Sequence, residues 1–390
     1  MKKAICLLLS LILILSAVSA GADGEPVTYL YTFRAGSLLT GEGMDFVSEL
    51  MKALKLSYTQ QKTGGTQAAR LQILSEGEEA FTLTAQESAD GEYAVSCSLL
   101  GDNVLVCRRD QLSAFLQALV KMLEDLKVLK GENLEKMNVL AVKLSDRLDG
   151  WLHREDGTTP ETGIDLTPYL TIMREKASAV TEEEPDETER AETGAVKVTV
   201  FTLNEDTRRE LVELGLQKVL AFPLIGSRLR EGSIRIGDSP VTEQQIRAVF
   251  SDPPGDTTLK LYTDAEGQTV RILLRTPDLT DLTADSMLAE VRGIELTIRR
   301  ESGENGHQIS TTVLRLPGLE GDLGTLILDR GPGEAVPPVE GKKTHNIGEM
   351  NSEELLKLIR SMRLTILNNV LNMVLVLPKC VFDLLGSRLF

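Results

Sequence analysis

The chain has 390 residues, which favours two domains over one, since domains typically hold roughly 100–200 residues. Its formal net charge of −16 argues against a nucleic-acid-binding protein, because an acidic surface without a basic stripe repels phosphate. Hydrophobic residues make up 42% of the sequence, enough to form buried cores, whereas the 4% of aromatic residues argue against a carbohydrate-binding surface.

Residues 1–22 have the three-part layout of a cleavable secretory signal. Two lysines precede an uncharged apolar run that begins at Ala4, and small residues follow from Ser16. We expect cleavage near Ala20 or Ala22 and a bacterial protein that is extracellular, periplasmic or in the cell envelope. The alternative is an uncleaved anchor, but the apolar run is short for the ~20 residues that span a bilayer. No cysteine stands at the cleavage site, so we expect no lipid anchor.

Residues 23–153 predict a first α+β domain, an antiparallel meander packed against helices. Its apolar residues recur at helical spacing in some segments and alternate with polar residues in others, with turn signals between. The expected elements are a strand Val27–Arg34, a helix Gly43–Leu56, strands Arg70–Ser75, Ala80–Glu87, Glu92–Leu99 and Val104–Arg108, and helices Asp110–Gly131 and Asn133–Trp151.

Cys97 and Cys107 lie symmetrically about a turn at residues 101–103, between two of these strands. A three-residue loop would place them in a non-hydrogen-bonded pair, whose short Cα separation suits a disulfide. A loop of two or four residues breaks this register, so the sequence leaves the bridge open. Cys380 is then left over, and we expect it to be a buried thiol.

Residues 154–195 differ from the segments on either side. They are polar throughout and densely acidic between Glu182 and Glu192. Their apolar content is too low to offset the entropy lost on ordering, which predicts a disordered linker between two domains. A calcium site is the weaker interpretation, because nothing in the segment would fix carboxylates around a turn.

Residues 196–390 repeat the order of elements of the first domain, which suggests an internal duplication. The order of strand, two helices, meander and long closing helix also matches helix-grip folds in shape. The second domain is therefore predicted as α+β too. The expected elements are a strand Val196–Leu203, helices Glu205–Leu220 and Val241–Phe250, strands Thr258–Thr263, Thr269–Arg275, Ile294–Arg300, Gln308–Leu316 and Gly324–Asp329, and a helix from Ser352.

The closing helix is apolar nearly all round from Leu364 to Leu377, with the sequence LTILNNVLNMVLVL. It is too short, and its three asparagines too polar, for a stable membrane span. We expect either a core helix gripped by the second sheet or a helix that meets an interface or a partner. The residues expected to contact an apolar ligand or a partner are Leu364, Leu367, Val370, Leu371 and Val374.

The sequence contains no motif of a nucleophilic enzyme and no pair of histidines at metal-ligand spacing. We therefore expect no enzyme, no metal and no cofactor. The leading hypothesis is an exported, non-catalytic protein that holds an apolar or lipid-like small molecule between sheet and helix. The alternative is an interaction or scaffold protein of the cell envelope, acting on another envelope protein through its acidic surface or its C-terminal helix.

Overall fold

A computed structural model describes residues 24–40, 44–125, 167–220, 229–230, 232, 234–236, 239–250, 256–275, 293–317, 319–339 and 343–378 of the chain. The expected signal peptide at 1–22, the expected helix at 133–151 and the expected buried thiol of Cys380 lie outside these residues. The described part is a mixed α and β structure in which antiparallel pairing dominates.

Fourteen of the described strands form one large sheet, and three short ones form a second. The strands are β1 Val27–Ala35, β2 Leu39–Thr40, β3 Leu54–Thr63, β4 Thr66–Ser75, β5 Glu78–Glu87, β6 Glu92–Cys97, β7 Asn103–Arg108, β8 Ala179–Glu183, β9 Lys197–Leu203, β10 Ile234–Ile236, β11 Ser239–Val241, β12 Thr257–Thr263, β13 Thr269–Arg275, β14 Gly293–Ser302, β15 Gln308–Arg315, β16 Gly324–Pro332 and β17 Lys343–Asn346.

The large sheet has the order β17-β7-β6-β5-β4-β3-β1-β16-β15-β14-β13-β12-β9-β8, and the small one β11-β10-β2. Every neighbouring pair of the large sheet is antiparallel except β17 and β7 at one edge. Strands β3 to β7 and β12 to β16 each form a meander, in agreement with the alternating patterns of the sequence.

The helices of the described residues are α1 Met44–Ala53, α2 Leu112–Asp125, α3 Thr167–Lys176, α4 Glu187–Thr193, α5 Glu205–Leu220, α6 Glu243–Phe250, α7 Ser352–Ser361 and α8 Arg363–Val376. Two of them cover separate ends of one sheet face. Helix α8 packs on the β1 to β6 half, whereas α5 packs on the half that contains β9, β12 and β13.

Strand alternation explains the core beneath α8. Tyr29, Tyr58, Leu71, Leu83 and Cys97 are register partners in turn across five neighbouring strands. Opposed residues of antiparallel strands point to the same face, so this row forms a continuous apolar band. Each of its members is 5% exposed or less.

One sheet runs through both predicted domains. Strand β1 pairs with β16 over its whole length, from Val27 opposite Pro332 to Ala35 opposite Gly324. The predicted boundary between the two domains is therefore not a boundary of the sheet. The sequence patterns predict most strands of the large sheet in both halves but miss β3, β8 and β17, and they carry no signal for the pairing of β1 with β16.

The prediction of a disordered linker is wrong for residues 167–195. They form α3, β8 and α4, and β8 pairs with β9 as the edge strand of the large sheet. Asp186 caps α4 in a capping box with Glu189, which compensates for the polar composition. The acidic side chains remain on the surface, while Met173 of α3 is buried in the core beneath α5.

The closing helix is not gripped by the second half of the sheet, and that prediction is wrong. After β16 the chain crosses the sheet, and its backbone amides at Val336 and Val339 donate to the side chains of Gln61 and Gln86. It then adds β17 beside β7 at the far edge. Because of this crossing, α7 and α8 pack on the first half of the sheet. The sequence predicts only a loop for the crossing segment.

Candidate interaction site

Helices α7 and α8 act as one helical unit with a bend at Met362. Helix α7 begins at Ser352, as the sequence predicts, and Asn351 caps it in a capping box with Glu354. Met362 keeps right-handed helical backbone angles. Its amide donates to Leu358 O and its carbonyl accepts from Ile366 N, so the helical spacing of side chains continues across the bend.

The inner face of α8 belongs to the core of the first half. Ile366, Val370 and Met373 pack on the buried cluster that includes Tyr58 and Leu83. Asn369 is also fixed there, because its Nδ2 donates to Leu99 O at 3.3 Å. The asparagine at this position therefore caps a turn of the sheet and does not interrupt the contact.

A glycine allows the helix to approach this closely. Gly101 follows the turn 98–100 with a positive φ of 59°. A side chain at this position would bring its Cβ to 3.0 Å from Cγ2 of Thr365 on α8. Both the backbone angle and the contact therefore favour glycine.

The outer face of α8 is apolar and exposed. Leu364, Leu367, Leu371 and Leu375 are 72%, 51%, 55% and 74% exposed, respectively. They follow the helix at successive spacings of three, four and four residues, which places them in one row. We call these four residues the leucine stripe. Exposed leucines are ordinary when scattered, but four in one row form a patch of the kind found at binding surfaces.

The row continues at its N-terminal end with two basic residues. Lys357 and Arg360 of α7 precede Leu364 at spacings of seven and four residues, on the same side of the helix. Both are exposed, and neither forms an ion pair in the part of the chain that the structure describes. The row thus has a short basic segment next to the acidic N-terminus of α7, followed by an uncharged apolar row.

The structure divides the five residues that the sequence predicted for this helix. Leu364, Leu367 and Leu371 lie on the stripe, whereas Val370 packs inward on the core. Val374 is half-buried. The sequence analysis omitted Leu375, although its spacing of four from Leu371 could have identified it.

The disulfide between Cys97 and Cys107 that the sequence leaves open is not formed, and both thiols are free and buried. Residues 98–100 form a short 3-10 turn, so pairing between β6 and β7 begins only at Val95 opposite Leu105. In this register Cys97 faces Leu83 on β5 and Cys107 faces Tyr93. The three-residue loop that would have aligned the two sulfur atoms is absent.

Burial also makes these thiols poor nucleophiles. It raises the pKa of Cys97, and it raises the pKa of Cys107 to about 11, with a smaller contribution from the charge of Asp110. A thiol with a raised pKa is protonated at neutral pH and reacts slowly. Both thiols are therefore protonated at neutral pH in the folded protein.

The described histidines have single polar partners. His307 Nδ1 lies 2.7 Å from Asp329 Oδ1, and His345 Nε2 lies 2.9 Å from Asn103 Oδ1. Across the described ranges, no group of three or more His, Cys, Asp and Glu side chains is arranged to hold a metal ion.

Comparison with known proteins finds no matching family model, no matching curated protein and no matching solved structure. None of the helices in the described residues combines the length and apolar character needed to cross a bilayer. The candidate site must therefore be interpreted from its own geometry.

Proposed function

We propose that this chain is an exported, non-catalytic interaction protein of the cell envelope, which binds another protein by inserting the leucine stripe into an apolar groove. The observation that carries the proposal is the row of four leucines, each more than half exposed, on a helix whose opposite face is already buried. Packing within the chain accounts for the inner face and leaves the outer face to be explained.

The spacing of the stripe suits recognition of a helix by a groove. Such grooves take apolar anchors that recur every three or four residues along one side of a helix. Burying the exposed part of each leucine contributes on the order of 1–2 kcal/mol. Because α8 is already held on the sheet, a partner would gain this energy without ordering the helix first.

Charge identifies the chemistry of the partner. The groove should be uncharged where it meets the stripe and acidic where it meets Lys357 and Arg360, because complementary charges orient a complex and speed its formation. A second copy of this chain is a weaker candidate, since it would bring together two molecules of net charge −16.

A membrane surface is also a weaker candidate. Helices that lie in a bilayer present a wide apolar face opposite a strongly charged one. The stripe is narrow, and the exposed Asn368 and Asn372 run along one side of it. A narrow ridge beside polar amides fits a protein groove better than an acyl layer.

The apolar-ligand hypothesis from the sequence has less support. It needs a space between the closing helix and its sheet, but Ile366, Val370 and Met373 pack directly on the core in that position.

We retain export by the signal at 1–22 as part of the proposal. We also retain internal duplication, supported by the order of strand, helix and five-strand meander in each half.

The test is photo-crosslinking in the source cells followed by reconstitution. A photoreactive residue at position 367 or 371 should give one defined adduct with a second protein, and one at the exposed Val180 should not. The purified partner should then bind the wild-type chain, and Leu367→Asp with Leu371→Asp should weaken its affinity about a hundredfold or more.

The matched control is Asn368→Asp with Asn372→Asp, which adds the same charge on the same helix and leaves the leucines intact. It should change the affinity far less. Adducts formed only between copies of this chain would contradict the proposal, as would flotation of the wild type with lipid vesicles. Equal weakening by the leucine and asparagine variants would contradict it as well.

A further inference from the structure

A polar recess of about 210 Å³ lies on strands β14, β15 and β16, near the middle of the large sheet. Its lining includes Arg300, Ser302, Gln308, Ser310 and Arg330. We propose that this recess binds a small phosphorylated or sulfated compound through its tetrahedral oxyanion. The proposal is independent of the leucine stripe.

Strand register places these side chains on one face. Arg300 opposes Ser310, and Ser302 opposes Gln308, which in turn opposes Arg330. The two rows are two residues apart along each strand, so their side chains point to the same side of the sheet. With strands about 4.8 Å apart, the Cα atoms of the two arginines are separated by roughly 12 Å, and both long side chains can reach a ligand above β15.

Both arginines lack a carboxylate partner among the described ion pairs. Arg300 Nη1 donates to Thr269 O at 3.3 Å, and the Arg330 guanidinium lies 5.9 Å from the centre of the Tyr29 ring. By contrast, Arg271 on the neighbouring β13 is neutralised by Glu295 at 3.0 Å. In a chain of 58 acidic and 42 basic residues, Arg300 and Arg330 thus line one recess without an ion-paired acid, although Arg300 leans towards β13 and Arg330 towards β1.

Buried donors at the recess also lack partners. Ser310 is only 4% exposed, and its hydroxyl has no hydrogen-bond partner. The Nε of Arg300 is likewise buried without one. Because an unsatisfied buried polar group costs about 1–3 kcal/mol, a ligand that accepts hydrogen bonds here would recover that energy.

The donor set determines the class of ligand. Guanidinium groups bind oxyanions in bidentate fashion, and the hydroxyl and carboxamide groups between them can donate to further oxygens. A tetrahedral group with three terminal oxygens uses this arrangement more fully than a carboxylate. Glu301 also borders the recess, but its register partner is Ile309, in the alternate row that points to the opposite face.

The size of the recess suits a small anion. A volume of about 210 Å³ accommodates a phosphate or sulfate group. Because the recess opens to solvent, the remainder of an ester can extend out of it. Free inorganic phosphate and a small phosphate ester share the recognised chemistry.

The experiment is calorimetric titration of the full chain with inorganic phosphate, sulfate and glycerol phosphate at constant ionic strength. We expect saturable binding of one equivalent, which Arg300→Gln or Arg330→Gln weakens about ten- to hundredfold. Tighter binding of glycerol phosphate than of inorganic phosphate identifies an ester as the ligand, and equal binding identifies the free anion.

Arg299→Gln is the matched control, since Arg299 is exposed and adjacent in β14 but lies in the alternate row. It should leave binding unchanged. Ser310→Ala removes only one hydroxyl and should still weaken binding severalfold if an arginine variant does not fold. No saturable binding at millimolar anion overturns the proposal, as does equal weakening by Arg299→Gln and Arg300→Gln.

Discussion

Helices α5 and α8 cover opposite ends of the same sheet. Packing on the sheet accounts for both faces of α5, but for only the inner face of α8. In α5 the core side presents Leu211 and Leu216, and the solvent side is charged, with Glu205, Asp206 and Arg209 exposed. In α8 the solvent side carries leucines instead. The comparison shows that a helix can satisfy its own fold completely and still present an apolar face that the fold does not use.

A buried arginine of α5 gives the opposite case, a polar group inside the core. Arg208 is fully buried, and its Nη1 donates to the hydroxyl of Thr257 at 2.6 Å. At this end of the sheet a polar group inside the core is bonded to a buried partner. At the α8 end, apolar groups lie outside the core without cover from the described residues.

The largest expected effect concerns the two cores that these helices cover. Phe81 lies beneath α8 and is 1% exposed, and Leu203 lies beneath α5 and is 0% exposed. Phe81→Ala should lower the free energy of unfolding by about 3–5 kcal/mol and Leu203→Ala by about 2–5 kcal/mol, because each leaves a cavity. Chemical denaturation followed by circular dichroism measures both.

Since one sheet joins the two cores, both variants should shift the same unfolding transition. Leu375→Ala, which shortens an exposed leucine, is the control and should change the free energy of unfolding by less than about 0.5 kcal/mol. Two separate transitions, each sensitive to only one core variant, would show that the halves unfold as independent domains despite the continuous sheet.

A smaller effect is expected from the free thiols of the first half. Burial raises the pKa of Cys107 from 9.0 in the unfolded chain to about 11 in the folded protein, so the folded state favours the protonated thiol. This stabilisation is complete below the lower value and is lost as the pH rises through the higher one. The denaturation midpoint should therefore fall as the pH is raised above 9.0.

Chemical labelling distinguishes two free, buried thiols from a disulfide. Cys97 and Cys107 should both react with iodoacetamide after unfolding at neutral pH without reductant, and both should react slowly in the folded protein. Mass spectrometry counts the labelled sites. Labelling of the unfolded chain that requires reductant would mean that the two cysteines are bridged.

Individual helices and strands could be predicted from the sequence more readily than the pairing between distant strands. Alternation of apolar and polar residues located the meander strands because that pattern depends only on which face is buried. The pairing of β1 with β16 and the crossing to β17 depend on partners hundreds of residues apart, for which local patterns carry no signal. The disordered-linker prediction failed because a capping box and an edge strand ordered a polar segment.

For the candidate site, the sequence identifies the helix but not which of its side chains face outward. The asparagine-interrupted apolar run marked the closing helix as unusual, and three of its five selected residues lie on the stripe. Which leucines face outward could not be known before the half of the sheet that receives the helix was known. The polar recess was missed because Arg300, Ser310 and Arg330 meet only through strand register.

The central claim is that α8 has one face for the fold and another for a partner, and a pair of neighbouring substitutions tests it most directly. We would measure the free energy of unfolding of Ile366→Asp and Leu367→Asp by equilibrium denaturation. Ile366 packs on the core, so its substitution should destabilise the protein by more than about 3 kcal/mol, whereas Leu367→Asp, at a half-exposed position, should cost only about 1 kcal/mol. Comparable destabilisation by both would mean that the leucine stripe is part of the core, which would contradict the claim.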